Sequence, residues 1–321
     1  LNHSQGNLIT RSLSALLRRL GRKPQPTIAA LVGVKNEFSL IGPCIGNLRA
    51  IGVTEIVVHD VASTDGTREW VAAQPDVQLI ETRDDDSNEV MEQRAMNAVL
   101  AMRSDWLIGM DADEFPLPKA GDLRACLAAT KADVLKIPRY NVVLSDQGLR
   151  MPLPPHPGAY AQTDLYIQVD RNFRKKLQSN PTLTWLQFAP DSKIIFRLDR
   201  LRNGDIAGFT DGLHNVVAAE GATVVTETAT DIVTAHVGLS DYDRFARKVA
   251  HIQSLIAGGI ASNFGWTWRR WAAQADEGTL RDEYDRSVVG EPEIAALRAS
   301  GVIASAADLL EQKPDAPGSE T

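Results

Sequence analysis

The stretch Asp105-Trp106-Leu107-Ile108-Gly109-Met110-Asp111-Ala112-Asp113-Glu114-Phe115 decides the fold, because an apolar run stops abruptly in three carboxylates. Trp106 to Met110 are apolar apart from one glycine, which predicts a central strand buried on both faces of a parallel sheet. Polarity then switches on at the strand's carboxyl end, where ligands sit in open α/β sheets. Asp111 and Asp113 are two residues apart, so in an extended chain they point the same way and can share one cation. Hard carboxylate oxygens suit Mg²⁺ or Mn²⁺, and no soft thiolate set competes. The alternative is a loop whose acids cap a helix near Leu117 to Thr130.

Upstream, the rhythm repeats. Thr27 to Val34, Glu55 to Asp60 and Val77 to Glu81 read as strands, alternating with helices over Phe38 to Ile51, from the Ser63–Thr67 loop to about Gln74, and over Glu89 to Met102. Strand, helix, strand, helix, strand, helix, strand predicts an α/β, doubly wound and mostly parallel sheet flanked by helices. Val61 to Thr67 is rich in small capping residues, and backbone N–H groups at such a helix start can receive a phosphate or hydroxyl.

Downstream the pattern loosens. Asp122 to Thr130 is helical, Asp133 to Pro138, Tyr140 to Leu144, Leu165 to Asp170 and Lys193 to Leu198 read as strands, and Ser145 to Asp164 reads as a long proline-rich loop. Arg171, Arg174, Lys175 and Lys176 form a basic patch, either a solvated face or a surface for an anion. From Ser240 the chain turns helical, with Trp266, Trp268 and Trp271 interleaved with Arg269 and Arg270. The expected organisation is a basic amphipathic segment over 1–26, a catalytic domain over 27–240, a helical C-terminal region over 241–313 and a disordered tail over 314–321.

Composition bounds the possibilities. At 321 residues, with 44% hydrophobic and 23% charged residues, the chain has the balance of an ordinary globular protein. A net charge of -7 argues against a general nucleic-acid binder. Cys44 and Cys126 are far apart with no ligand spacing, which fits buried thiols in a reducing compartment. No transmembrane run or signal peptide is visible, although the chain opens on Leu1 and a removed leader stays open. The expected location is the cytoplasm. Leu13, Leu16, Leu17 and Leu20 recur at helical spacing among Arg11, Arg18, Arg19, Arg22 and Lys23, so this helix either packs on its own domain or lies on the inner membrane surface.

Taken together, VKNE at Val34 to Glu37, the run from Leu48 to Thr67, RAMN at Arg94 to Asn97 and DWLIGMDADEF resemble family-two-like glycosyltransferases with the GT-A fold. The likeness is greatest to the branch whose metal motif reads DADEF, related to the family-ninety-two enzymes, and it covers roughly residues 27 to 120. The resemblance implies that Asp60 accepts a hydrogen bond from the donor base, with Asn36 and Glu37 in the same nucleotide pocket and Arg94 near the diphosphate. It further implies that Asp111 meets ribose or metal-bound water and that Asp113 is a direct metal ligand. Read from the residues alone, Asp60 equally caps a turn, and Arg94 equally faces solvent or pairs with Glu114.

Family members commonly complete the metal shell with a late histidine, and the order His236, Ser240, Phe245, Lys248 resembles theirs. His214, beside Asp211 and Gly212, is equally plausible by chemistry. The resulting expectation is a Mn²⁺- or Mg²⁺-dependent enzyme that moves a sugar from a nucleotide-sugar donor, uridine-linked by analogy, to a saccharide or glycolipid acceptor with inversion. Asp211 and Asp164 are the candidates for the base that deprotonates the acceptor. The rivals are a nucleotidyltransferase, which normally wants a glycine-rich basic loop that KNEF does not offer, and a catalytically silent sugar-binding scaffold.

Overall fold

The computed structural model describes residues 25–83, 86–167, 173–180, 183–188, 190–259 and 265–311. The expected N-terminal amphipathic helix and the expected tail over 314–321 lie outside them. The first four strands are β1 (Ile28–Val34), β2 (Glu55–Val61), β3 (Val77–Thr82) and β4 (Trp106–Asp111). They pair in parallel in the order 3-2-1-4, linked by helices Phe38–Ala50, Thr67–Ala72 and Asn88–Ala101. Alternation explains why β1 is apolar throughout. Ala30, Val32 and Val34 join a core with Ile41, Trp106 and Ile108 on one side, while Ala29 and Leu31 join Val99, Leu107 and Phe196 on the other. Each Val, Leu or Ile among them, fully buried, contributes about 2 kcal/mol of hydrophobic stabilisation, and each Ala less than half of that.

The three acids do not cap a helix. Ala112 and Asp113 make a tight link from β4 into β5 (Glu114–Pro118), a strand despite Pro116 and Pro118. It is followed by β6 (Val134–Ile137), β7 (Arg139–Asn141), β8 (Leu144–Ser145), β9 (Gly148–Leu149) and β10 (Asp164–Tyr166). The expected long loop thus contains a short β8–β9 hairpin and a 3₁₀ turn over Pro157–Gln162. Next come β11 (Lys193–Arg197), β12 (Ile206–Phe209), β13 (Val216–Ala218), β14 (Thr226–Thr228) and β15 (Ile232–His236), then β16 (Val288–Val289) and β17 (Ile303–Ser305). The main sheet has seven strands in the order β14-β6-β11-β4-β1-β2-β3, with β11 antiparallel to both its neighbours.

A second sheet, β5-β15-β7, sets the late strand β15 beside the acidic turn. Gly109 makes room for another late segment. A Cβ there would stand 2.2 Å from Leu213, so only glycine lets the 211–213 turn lie against β4. The C-terminal helices Tyr242–Ala257, Trp266–Asp276 and Leu280–Asp285 share a core with earlier residues, Leu144, Tyr166, Phe173 and Trp185 packing with Phe245, Trp271 and Leu280. Cys44 and Cys126 are buried free thiols. Among the described residues no helix is long and apolar enough to cross a membrane.

Candidate active site

Register aligns the site. Across the sheet, Glu81 lies beside Asp60, Asp60 beside Val34, and Gly33 beside Asp111, so the acids of three parallel strands emerge along one carboxyl edge. The turn after Asp111 is pinned from both sides, by Ala112 N donating to Gly33 O at 3.2 Å and by Val237 N donating to Asp113 O at 2.8 Å. Antiparallel pairing of β5 with β15 sets Glu114 opposite His236. His236 is thereby delivered to the motif, its Nε2 lying 3.7 Å from Asp113 Oδ2.

The tautomer of His236 follows from its other neighbour. Asn141 donates through Nδ2 to Leu186 O at 2.9 Å and to Phe188 O at 2.8 Å, so its Oδ1 is the atom left facing His236 Nδ1 at 2.6 Å. Nδ1 therefore carries the proton and donates it, and Nε2 turns a lone pair towards the Asp113 carboxylate. Burial holds the His236 pKa below its ordinary value and keeps the ring neutral. Two acceptors thus face one another, with the Arg244 and Lys248 cations already on Asp113 Oδ2. Among the described residues no third His, Cys, Asp or Glu joins them to make a larger metal-ligand group. His214 is elsewhere engaged, its Nδ1 meeting Ser192 O at 2.9 Å.

Four cations surround four carboxylates. Arg244 forks onto Glu37 at 2.5 and 2.7 Å and reaches Asp113 Oδ2 at 2.8 Å, while Lys248, one turn along the same helix, reaches that oxygen at 3.0 Å. Burial raises the Asp113 pKa, but the Lys248 and Arg244 cations hold it well below the usual carboxylate range. Glu37 goes the other way, raised because burial outweighs Arg244. Glu114 pairs with Arg139 and accepts the Asp111 N–H at 2.9 Å. Lys193, itself buried, donates to Asp111 Oδ2 at 2.9 Å and to Gly212 O at 2.7 Å, and lies 3.2 Å from Glu114. Burial lowers the Lys193 pKa, but Asp111 and Glu114 turn the balance upward.

At the carboxyl ends of β2 and β3 opens a cleft of about 460 Å³ lined by Ala62, Ser63, Thr64, Arg68, Glu81, Thr82, Arg83 and Arg94. Asp60 lies beneath it, fully buried, with Oδ1 accepting from Ser63 N at 3.0 Å and Arg68 Nε at 3.1 Å and Oδ2 unpartnered. Arg94 lines the cleft but is tied to Asp86 and to Glu81 O, not to Glu114. Asn36 and Glu37 are not among its lining residues. Asn36, at φ 55°, accepts from Thr64 N at 2.8 Å and braces the loop after β2, and Glu37 belongs to the Arg244 cluster.

The two candidate bases part company. Asp164 is fully buried at the start of β10, with Arg150 at 3.1 Å on one oxygen and Arg298 on the other. With both oxygens engaged by guanidinium groups and no exposed surface, it is a structural ion pair and is not retained as a base. Asp211 lies in the turn whose next carbonyl is gripped by Lys193, so its backbone runs beside Asp111. No local pattern in the sequence marks Lys193, Arg244, Arg139 and Asn141 as partners of these residues.

A β1–β4 sheet with acids at its carboxyl edge, backed by a second small sheet that returns a histidine to them, is the GT-A arrangement, and the protein is a glycosyltransferase. Residues 30–144 match the family described as Glycosyl transferase family 2. Similar solved structures include a mannosyltransferase, PcManGT from Pyrobaculum calidifontis, in complex with GDP-Man and Mn²⁺, at 19% identity over 93% of this chain and 85% of that one, with a TM-score of 0.40. S. aureus TarS 1-349 is 13% identical over 81% of this chain and 71% of that one, with a TM-score of 0.37. Glucosyl-3-phosphoglycerate synthase from Mycobacterium tuberculosis, in complex with Mn²⁺, UDP and phosphoglyceric acid, is 15% identical over 74% of this chain and 80% of that one, with a TM-score of 0.36. No curated protein is similar enough to the chain to count as a relative.

Proposed function

We propose that the enzyme transfers a sugar from a uridine-linked nucleotide donor to a hydroxyl of a saccharide or glycolipid, with inversion, and that Asp113 and His236 hold Mn²⁺ or Mg²⁺ while they do so. The observation that carries this is the pair of facing acceptors, His236 Nε2 and Asp113 Oδ2, 3.7 Å apart, with Asn141 fixing the tautomer that leaves Nε2 free. Two protein donors suffice for a dication whose remaining positions go to phosphate oxygens and water. Such an ion would offset the negative charge that develops on the departing diphosphate.

The remaining roles fall to side chains of the chain itself. The Asp60 carboxylate, one oxygen unpaired, supplies an acceptor for a base N–H, and Arg68 and Arg94 supply donors for flanking carbonyls, a set that suits uracil. Asp111, exposed at the strand end, orients ribose or bound water. Asp211 takes the acceptor hydroxyl's proton as the acceptor oxygen bonds to the anomeric carbon and the bond to the diphosphate breaks. The basic N-terminal segment over 1–26 would bring the enzyme to the inner face of a membrane from the cytoplasm, where a glycolipid acceptor would be found.

Calorimetry with UDP in the presence and absence of Mn²⁺ tests the reading. Asp113→Ala should abolish Mn²⁺-dependent UDP binding, and Asp60→Asn should weaken UDP at least tenfold while leaving Mn²⁺ binding intact. Undiminished binding by Asp113→Ala would count decisively against it. A screen of nucleotide sugars for metal-stimulated release of nucleoside diphosphate then names the donor.

A further inference from the structure

We infer that the Lys248 ammonium is a built-in counter-ion for Asp113, which competes with a divalent cation for that carboxylate and turns to the donor's diphosphate once the cation is bound. The inference rests on the metal and donor sites proposed above, and it concerns what this chain does at them before and after they fill.

Arg244 and Lys248 both meet Asp113 Oδ2, but they are not equivalent. Arg244 is buried and fully committed, with Glu37 on two of its nitrogens, Val237 O on a third and Asp113 sharing the fork. It cannot leave Asp113 without stranding Glu37. Lys248 has a side chain 30% exposed and meets Asp113 through one of its three donors at 3.0 Å. Its long, flexible stem can swing the charge over several ångströms without disturbing the helix.

The place that Lys248 holds is contested. The oxygen it meets is the one that faces His236 Nε2, so a dication shared by Asp113 and His236 must come against that same oxygen. A lysine cation and a dication side by side repel strongly in a part-buried site. Arrival of the metal therefore drives the ammonium off, and the nearest new anion is the diphosphate that the metal brings with it. One side chain thus weakens metal binding alone and strengthens binding of metal with nucleotide, so that a bare enzyme does not hold a tight ion in the absence of donor.

Opposite signs from one substitution test this. Mn²⁺ alone is titrated into wild type, Lys248→Met and Lys248→Arg, and UDP is then titrated at saturating Mn²⁺. Lys248→Met should tighten Mn²⁺ at least tenfold and weaken UDP at least tenfold, and Lys248→Arg should stay near wild type in the UDP titration. A merely structural lysine would weaken both ligands. Unchanged or weaker Mn²⁺ binding by Lys248→Met overturns the inference even where UDP binding is normal. Failure of wild type to bind UDP at saturating Mn²⁺ overturns the donor reading instead, while the Mn²⁺ titration still decides the competition; Mn²⁺ bound by none of the three proteins overturns both.

Discussion

At the scale of single residues, the chemistry of the site is set by which lone pairs point where, and Asn141 governs the one that matters for metal. Its amide is held by two backbone carbonyls, its oxygen takes the Nδ1 proton of His236, and the imidazole is left with Nε2 as an acceptor. Asn141→Leu removes that constraint and lets the ring take the other tautomer or turn. Partners of ligating histidines are typically worth 10–100-fold in metal affinity, so Mn²⁺ binding should weaken by about that factor, read by titration. Unaltered affinity would mean that the tautomer is fixed by something else or that His236 is not a ligand. The paired acids could be picked out of the sequence because carboxylates two apart at a strand end are a local pattern, whereas His236 stands out only through the resemblance, with His214 as its equal. Their partners could not. Arg244 is 207 residues from Glu37, Lys193 is 82 from Asp111, and Asn141 is 95 from His236, distances across which only the folded sheet brings charges together. Asp164 shows the same limit: an isolated acid looks free in the sequence, and only the fold puts Arg298, 134 residues later, on it.

Among elements, β1, β2 and β4 were legible because burial on both faces calls for nearly continuous apolar runs, and edge strand β3, only part-buried, through its Val77, Leu79 and Ile80; the structure follows all four to within a residue or two. Strand β5 was not, since two prolines argue against a ladder. It is tolerated because β5 is an edge strand of its sheet, paired with β15 alone, and Pro116 and Pro118 need donate nothing on the open side. Exposed β14 carries too little apolar signal to be seen at all. Helix Trp266–Asp276 is latched to Leu280–Asp285 by Glu283, whose Oε2 accepts from Arg270 at 2.7 Å, Gln274 at 2.9 Å and Arg286 at 2.5 Å. Burial raises the Glu283 pKa, yet those donors together hold it below the ordinary glutamate value. A carboxylate depressed in the folded state stabilises above its unfolded pKa, about 4.3, and that contribution is lost as pH falls through the folded value. Glu283→Gln should therefore cost about 3 kcal/mol at pH 7, in line with a broken buried ion pair. The gap between wild type and variant in urea unfolding should narrow below about pH 4. A gap that persists unchanged into acid would show that the glutamate acts through packing and not through charge.

For the molecule as a whole, Arg244 is where the parallel sheet and the C-terminal helices are joined by charge. The helix Tyr242–Ala257 buries Phe245, Val249 and Ile252 in the second core and turns Arg244 towards Glu37, after β1, and Asp113, after β4. Removing the guanidinium leaves two buried carboxylates near one another with Lys248 as the remaining cation on Asp113. Arg244→Met should then lower unfolding free energy by about 3–5 kcal/mol, because an uncompensated buried charge costs more than the pair ever gained. The loss should be partly recoverable. A dication on Asp113 replaces the missing positive charge, and a ligand that binds only the native state raises its stability in proportion to its affinity. Saturating Mn²⁺ should accordingly raise the melting temperature of Arg244→Met by more than it raises that of wild type, with Arg244→Lys in between, by thermal unfolding followed by circular dichroism. Equal shifts in all three proteins would separate the Glu37–Arg244–Asp113 bridge from the metal site and leave Arg244 as a purely structural clamp.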